Sequence, residues 1–426
     1  KGDTMTKIAK KEYTNLLSNC RKQGILHFFF LLAISSIFLF ILFINSASTN
    51  EPIVKLGNEV LLEECFHLIE GKKVGLITNQ TGVDSRGESF IENILATHRV
   101  KLIALFAPEH GLDGKARAGA HVSSHIHPLY DIPVYSLYGN TRMPTEEMLF
   151  PVEVLLFDIQ DIGARTYTYM STLQYCMVAA AKYKKPIIVL DRPNLLGGII
   201  VEGPVLEDNF KSFVGVDNLP MAHGMTVGEL AQFYNRNIGA DLTVILMKGY
   251  HRGMTFSETG LPFVQTSPNI PDLYSAYGYM ATGMGEGTGV FQRDQFRWVG
   301  GKGLDSYQYA EVLNQAELPG VWYIPEERET AGGACLDIYD PSIFNPAKSG
   351  IYALAYAFML GDFHVPKSTP GNIVMFDKIM GTDKIGLFLE AKVPPEQIIE
   401  CYTPELEKFK KERENYLIPF YQPPGF

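Results

Sequence analysis

Cysteine is scarce. Five residues in a chain of 426 (Cys20, Cys65, Cys176, Cys335, Cys401) stand far apart, and no C-x-x-C occurs. Neither a zinc knuckle nor a disulfide framework can be built from that spacing, so the cysteines are expected to act as small buried hydrophobes. Positive charge is also short. The net charge is -10, and residues 1–48 hold six basic and two acidic residues, which leaves 31 basic against 45 acidic residues in the rest. A body this acidic lacks the basic face that sequence-independent nucleic-acid binding requires, so no nucleic-acid partner is expected. No G-x-S-x-G is present, which removes the serine-esterase nucleophile elbow. The one glycine-rich run, Gly283–Gly289, fails the dinucleotide fingerprint because Thr288 stands where glycine is needed, and no early strand precedes it. No cofactor is therefore called for. His121, His125 and His127 lie close together without helical spacing or an adjacent carboxylate, so no metal site is expected.

What the chain does have is one long apolar run. Ile25–Ile44 contains only His27, Ser35 and Ser36 as polar members, and twenty residues at helical rise cover roughly 30 Å, the core of a bilayer. The flank before it is basic and the flank after it is not. The expectation is a cytoplasmic tail over 1–24, a transmembrane anchor or signal segment over 25–45, and an extracytoplasmic body. Ser46-Ala47-Ser48 offers small residues for cleavage, but the length of the run favours an uncleaved anchor.

After Asn50 the pattern alternates between strands and helices. Val74–Thr78, Val100–Phe106, Val154–Asp158, Pro186–Asp191 and Leu242–Met247 are short and nearly continuously apolar, as in parallel strands buried on both faces. Ser89–Ala96, Ser171–Tyr183 and Thr226–Asn237 read as the intervening helices, the last with a capping box between Thr226 and Glu229. Such units predict a Rossmann-like open parallel sheet with helices on both faces over 50–247. From 248 to 426 glycine and proline rise. We expect long loops through Gly253–Gly303, helices at Ser306–Gln315, Gly350–Met359 and Thr403–Tyr416, and a second, smaller α+β subdomain with a cleft between the two.

In open α/β sheets ligands bind beyond the carboxyl ends of the strands. Four polar clusters stand there: Thr78–Gly82, Ala107–Gly111, Asp158–Arg165 with Tyr167 and Tyr169, and Asp191–Asn194. Their content suits glycoside cleavage, which needs an acid to protonate the leaving oxygen and a second group to attack or activate water. Glu109, on a tight loop between Pro108 and Gly111, is the candidate acid, with His110 supporting it by a hydrogen bond. The alternative is that Glu109 pairs with Arg165 or Arg192 to hold the loops. Asp161 divides evenly between catalysis and loop bracing, and Asp191 with Arg192 reads as a bracing ion pair. Tyr167 and Tyr169 either line a sugar subsite or fill the core. Arg165 offers a fork of donors for a carboxylate.

These same residues carry a resemblance. GLITNQTGVD (75–84), FAPEHG (106–111), YSLYG (135–139), FDIQDIGARTYTY (157–169), LDRPN (190–194), VEGP (201–204), HGMTVGEL (223–230), TGLPF (259–263), SPNIP (267–271) and EGTG (286–289) occur in family order over roughly 55–417. Together they resemble the NamZ-type exo-β-N-acetylmuramidases, glycoside hydrolases that trim peptidoglycan fragments. The resemblance implies a Rossmann-like larger subdomain, a smaller one, and release of terminal N-acetylmuramic acid from the non-reducing end of muramyl saccharides. It implies Glu109 as catalytic carboxylate; His110, Asp161 and Glu286 are the other catalytic candidates, Glu286 as a second carboxylate. Asn79, Tyr138, Gln160, Arg165, Tyr167, Tyr169, Arg192, Asn194 and His223 are the candidate substrate contacts. The chain departs from the family at one place. EGTG continues into Val290-Phe291-Gln292-Arg293-Asp294-Gln295-Phe296, where the family carries a small glycine-rich loop, and Arg293 and Asp294 are candidate substitutes there.

Overall fold

The computed structural model describes residues 54–422. The apolar run at 25–44, the candidate cleavage residues 46–48 and Cys20 lie outside the described residues. Among the described residues no helix is long and apolar enough to cross a membrane.

In chain order the elements are α1 (Gly57–Glu63), β1 (Lys73–Thr78), α2 (Phe90–Ala96), β2 (Lys101–Ala107), β3 (His125–Ile126), β4 (Pro133–Ser136), α3 (Glu146–Leu149), β5 (Val154–Asp158), α4 (Tyr169–Tyr183), β6 (Ile187–Leu190), α5 (Val227–Ile238) and β7 (Leu242–Ile245). There follow α6 (Leu273–Thr282), β8 (Val290–Arg293), β9 (Trp298–Lys302), α7 (Ser306–Gln315), β10 (Val321–Pro325), β11 (Ala331–Ile338), α8 (Pro346–Leu360), α9 (Met375–Met380), α10 (Lys384–Glu390) and α11 (Pro395–Arg413).

The first seven strands form one sheet in the order β3-β4-β2-β1-β5-β6-β7, parallel except for the β3–β4 pair. β5 is buried along its whole length, as its unbroken run of Val, Leu, Leu and Phe predicts. Alternate residues of β1 serve two cores. Val74 and Leu76 join Val60, Leu61, Phe90 and Ile94 of α1 and α2 on one face, and Ile77 joins Leu173, Met177 and Leu230 of α4 and α5 on the other. The chain order climbs one way from β1 and the other way from β5. The switch point of this doubly wound sheet therefore lies between them, where the carboxyl ends open a crevice.

The other four strands form an antiparallel sheet, β10-β11-β9-β8. Residues 253–303 are thus not one long loop: they hold α6 and the β8–β9 hairpin. The signal was concealed by Gly278 and Gly283, which read as loop residues. Gly278 sits in α6 because a Cβ there would lie 2.0 Å from the carbonyl oxygen of Phe296, so close packing and not flexibility requires it. The C-terminal helix likewise begins at Pro395, eight residues before the expected Thr403, and runs through Pro404. The Thr403 hydroxyl donates to the Ile399 carbonyl at 2.7 Å, one polar partner for a backbone disturbed by the missing proline N–H. Of the cysteines, Cys176 is a buried hydrophobe, whereas Cys401 is exposed, Cys65 and Cys335 are half-buried, and the Cys335 thiol donates to Glu326.

Candidate functional site

β2 ends at Ala107, and the chain then reverses through His110 (φ 71°) and Gly111 (φ 80°), both left-handed. Histidine adopts this conformation at a cost that glycine does not incur, and the turn places Glu109 against the start of α4. The Glu109 carboxylate, 7% exposed, accepts the Gly119 N–H on Oε1 at 2.7 Å and the Thr168 hydroxyl on Oε2 at 2.5 Å. It pairs with neither Arg165 nor Arg192. His110 does not support it: Nδ1 meets the Ala116 carbonyl oxygen at 2.7 Å, and the ring stands edge-on to Tyr169 at 6.3 Å. The local signal of Pro-Glu-His-Gly located the turn correctly, but the left-handed His110 sends its ring away from its neighbour's carboxylate.

Several expected substrate contacts are instead occupied within the protein. Arg165 is buried, and its guanidinium donates to the carbonyls of Pro204 and Leu219, both at 2.8 Å, and of Ile379 at 2.5 Å. Burial pulls its pKa down to about 9. Arg192 donates from Nε to Asp158 at 2.6 Å and from Nη2 to the Val83 carbonyl, so its ion partner is Asp158 and not Asp191. Asp191 instead anchors the start of α5, accepting the Gly228 N–H at 2.7 Å and the Thr226 and Tyr421 hydroxyls. Gln160 donates to the carbonyls of Asp161 and Pro193, and Asn194 to that of Met225. Asn79 holds Thr81 through Oδ1, while its Nδ2 is buried without a partner among the described residues.

Tyr167 and Tyr169 do meet, edge to face at 4.9 Å, but both are buried and both hydroxyls are directed to Thr266. Burial pushes both phenols well above their ordinary range. They form packed floor beneath the site. Asp161 and His223 form a buried pair: Oδ2 accepts the Gly163 N–H at 2.8 Å, and His223 Nε2 lies 3.5 Å away. Because Met225 N–H donates to His223 Nδ1, the ring proton sits on Nε2, which is buried with no hydrogen-bond partner among the described residues.

Two residues absent from the sequence-based candidates complete the site. Thr168, at the N-terminus of α4, supplies a donor to Glu109. Tyr279, on α6, lies edge-on to Tyr167 at 5.9 Å and accepts the Thr166 hydroxyl at 3.3 Å. Burial raises the Tyr279 phenol, and the charges of Glu109, Asp161 and Glu286 raise it further. Glu286 itself is exposed, just beyond α6. The atypical 290–296 segment is β8 and its turn, with Asp294, Gln295 and Phe296 all left-handed. Phe296 packs edge-on against Tyr279 at 4.9 Å, Asp294 pairs with Arg328 at 2.7 Å, and Arg293 stacks on Phe291. The segment buttresses Tyr279; it brings neither Arg293 nor Asp294 to Glu109.

Residues 74–274 match the family model described as exo-beta-N-acetylmuramidase NamZ, N-terminal, and residues 277–418 match its C-terminal counterpart. The chain is 40% identical over 389 residues to the peptidoglycan beta-N-acetylmuramidase NamZ of Bacillus subtilis (strain 168), covering 88% of this chain and 93% of that protein. Two crystal structures of DUF1343 family proteins from Bacteroides fragilis NCTC 9343 are similar. One has a TM-score of 0.75 and 34% identity over 86% of this chain and 98% of its own; the other has a TM-score of 0.66 and 26% identity over 87% and 99%. With both family halves matched in order and the carboxylates gathered at the switch of a doubly wound sheet, the chain belongs to the NamZ family of exo-β-N-acetylmuramidases.

Proposed function

We propose that this protein is an exo-acting β-N-acetylmuramidase that hydrolyses the glycosidic bond of a terminal N-acetylmuramic acid on peptidoglycan-derived saccharides. The observation that carries the reading is Glu109: a carboxylate at a strand's carboxyl end, outside any ion pair and oriented by two donors. Hydrolysis adds hydroxide to the anomeric carbon and a proton to the leaving oxygen. Glu109 supplies that proton, since its oxygens are fixed in direction by Gly119 and Thr168. Glu286, exposed just beyond α6, is the second carboxylate able to approach substrate or water. Asp161, enclosed by Gly163 and His223, holds the loop. The test is turnover of a chromogenic N-acetylmuramic acid β-glycoside beside its N-acetylglucosamine analogue. Selective turnover of the first is expected, and absence of turnover from folded protein would remove the reading.

The body works outside the cytoplasm, held at or exported across the membrane by Ile25–Ile44. The basic flank of Lys7, Lys10, Lys11, Arg21 and Lys22 supports this orientation. Protease accessibility in intact cells tests it: digestion of the body is expected, and protection until the membrane is lysed would refute it.

A further inference from the structure

Muramic acid differs from glucosamine by a D-lactyl ether that ends in a carboxylate. A site selective for it needs a cation whose donors are not already spent. Arg165 and Arg192 fail this condition, because carbonyls and Asp158 occupy them. Arg142 meets it. The residue is exposed, and it forms no salt bridge with any carboxylate among the described residues. Its guanidinium lies over the Phe213 ring at 4.4 Å and over the Tyr138 ring at 4.9 Å. Those two rings pack against each other at 5.7 Å, and Phe213 is anchored edge-on to Tyr175 of α4 at 5.3 Å. The turn that carries Arg142 is tied by Thr141, whose hydroxyl donates to the Met143 carbonyl at 2.7 Å and accepts the Met143 N–H at 3.1 Å.

A guanidinium stacked on aromatic faces has its plane fixed while its N–H groups, which lie in that plane, remain available for a bidentate carboxylate. The position is as informative as the chemistry. Leu137 N–H donates to the Ala107 carbonyl at 2.8 Å, and β4 runs parallel to β2, so Tyr138 stands just beyond the carboxyl end of β4 beside the β2 end that leads into Glu109. After burial, the Glu109 charge raises the Tyr138 phenol and Arg142 lowers it. The cation therefore rests on a tyrosine whose strand end adjoins the one that carries the candidate acid.

Resting on the muramidase reading above, we propose that Arg142 is the residue that recognises the lactyl carboxylate of the terminal muramic acid. Tyr138 and Phe213 act as the platform that holds its guanidinium flat. The sequence points to Arg165 for this role because its guanidinium offers a fork of donors in the polar cluster after β5; Arg142 is 23 residues earlier and is held by the stacking on Tyr138 and Phe213.

The test uses wild type, Arg142→Met and Arg142→Lys on three chromogenic β-glycosides: N-acetylmuramic acid, its lactyl N-methylamide, and N-acetylglucosamine. Wild type is expected to favour the acid over the methylamide. Arg142→Met should raise KM for the acid about ten- to a hundredfold, the scale of a lost charge-assisted pair, with kcat changed only a few fold. On the methylamide it should stay within about twofold of wild type, and Arg142→Lys should recover part of the preference for the acid. Equal losses on acid and methylamide, or a wild type indifferent between them, would overturn the role of Arg142 while leaving the muramidase reading standing. A folded wild type that turns over no muramyl substrate would overturn both, and is distinguished from the other results by its zero rate on all muramyl glycosides.

Discussion

Replacing Arg165 by methionine separates a buried brace from a substrate clamp. In the structure the guanidinium closes three carbonyls from three places in the chain: Pro204, Leu219 and Ile379. Methionine fills most of the volume but leaves the Pro204 and Ile379 carbonyls without donors, while the Leu219 carbonyl keeps the Leu206 N–H at 3.0 Å. Each orphaned acceptor costs about 1–3 kcal/mol. Relief from burying a charge, the effect that pulls Arg165 down to about 9, offsets part of the sum. The net loss is about 2–4 kcal/mol. A chain of this size changes stability by about 0.8 kcal/mol per degree near its transition, so the melting temperature should fall by about 3–5 °C. Below that transition the variant should lose turnover by the same factor on N-acetylmuramic acid and N-acetylglucosamine glycosides, because Arg165 touches neither. Differential scanning calorimetry and paired kinetics read both effects. An unchanged melting temperature with loss confined to the muramyl substrate would refute the bracing role.

Thr168→Val removes the hydroxyl donor to Glu109 without changing shape; losing one hydrogen bond that orients the acid should lower kcat/KM about tenfold, whereas Thr168→Ser should stay within a few fold, and equal effects of the two would contradict the contact. Asp191 is raised by burial from 3.8 to about 7. Between those values the folded state holds a proton that the unfolded state has released, so this group's contribution to stability is present at low pH and lost as pH rises towards 7. Wild type should therefore melt higher relative to Asp191→Asn at pH 5 than at pH 7, and a pH-independent difference would refute the assignment.

The parts of this molecule set by local pattern could be read from its sequence. The apolar runs became β1, β2, β5, β6 and β7, and the Thr226–Glu229 capping box became the start of α5. The polar ends of four strands did converge, because strand order alone brings them to one edge. Which side chains remain free there is a tertiary matter. Arg165 and Arg192 look like substrate ligands until the carbonyls and the aspartate that occupy them are in place. His110 looks like a partner for Glu109 until the left-handed turn sends its ring to Ala116. Tyr279 was concealed inside a segment whose glycines suggested loop, and Arg142 shows its importance only once Phe213, 71 residues later, supplies its platform.

The most direct measurement of the central claim is hydrolysis of the chromogenic N-acetylmuramic acid β-glycoside by wild type and by Glu109→Gln, with the fold of both checked by melting. The substituted side chain keeps an amide oxygen to accept from Gly119 or Thr168 but has no proton to give the leaving oxygen. The account predicts selective turnover by wild type and a loss of at least about a hundredfold in the variant. Turnover by Glu109→Gln close to that of wild type would contradict it.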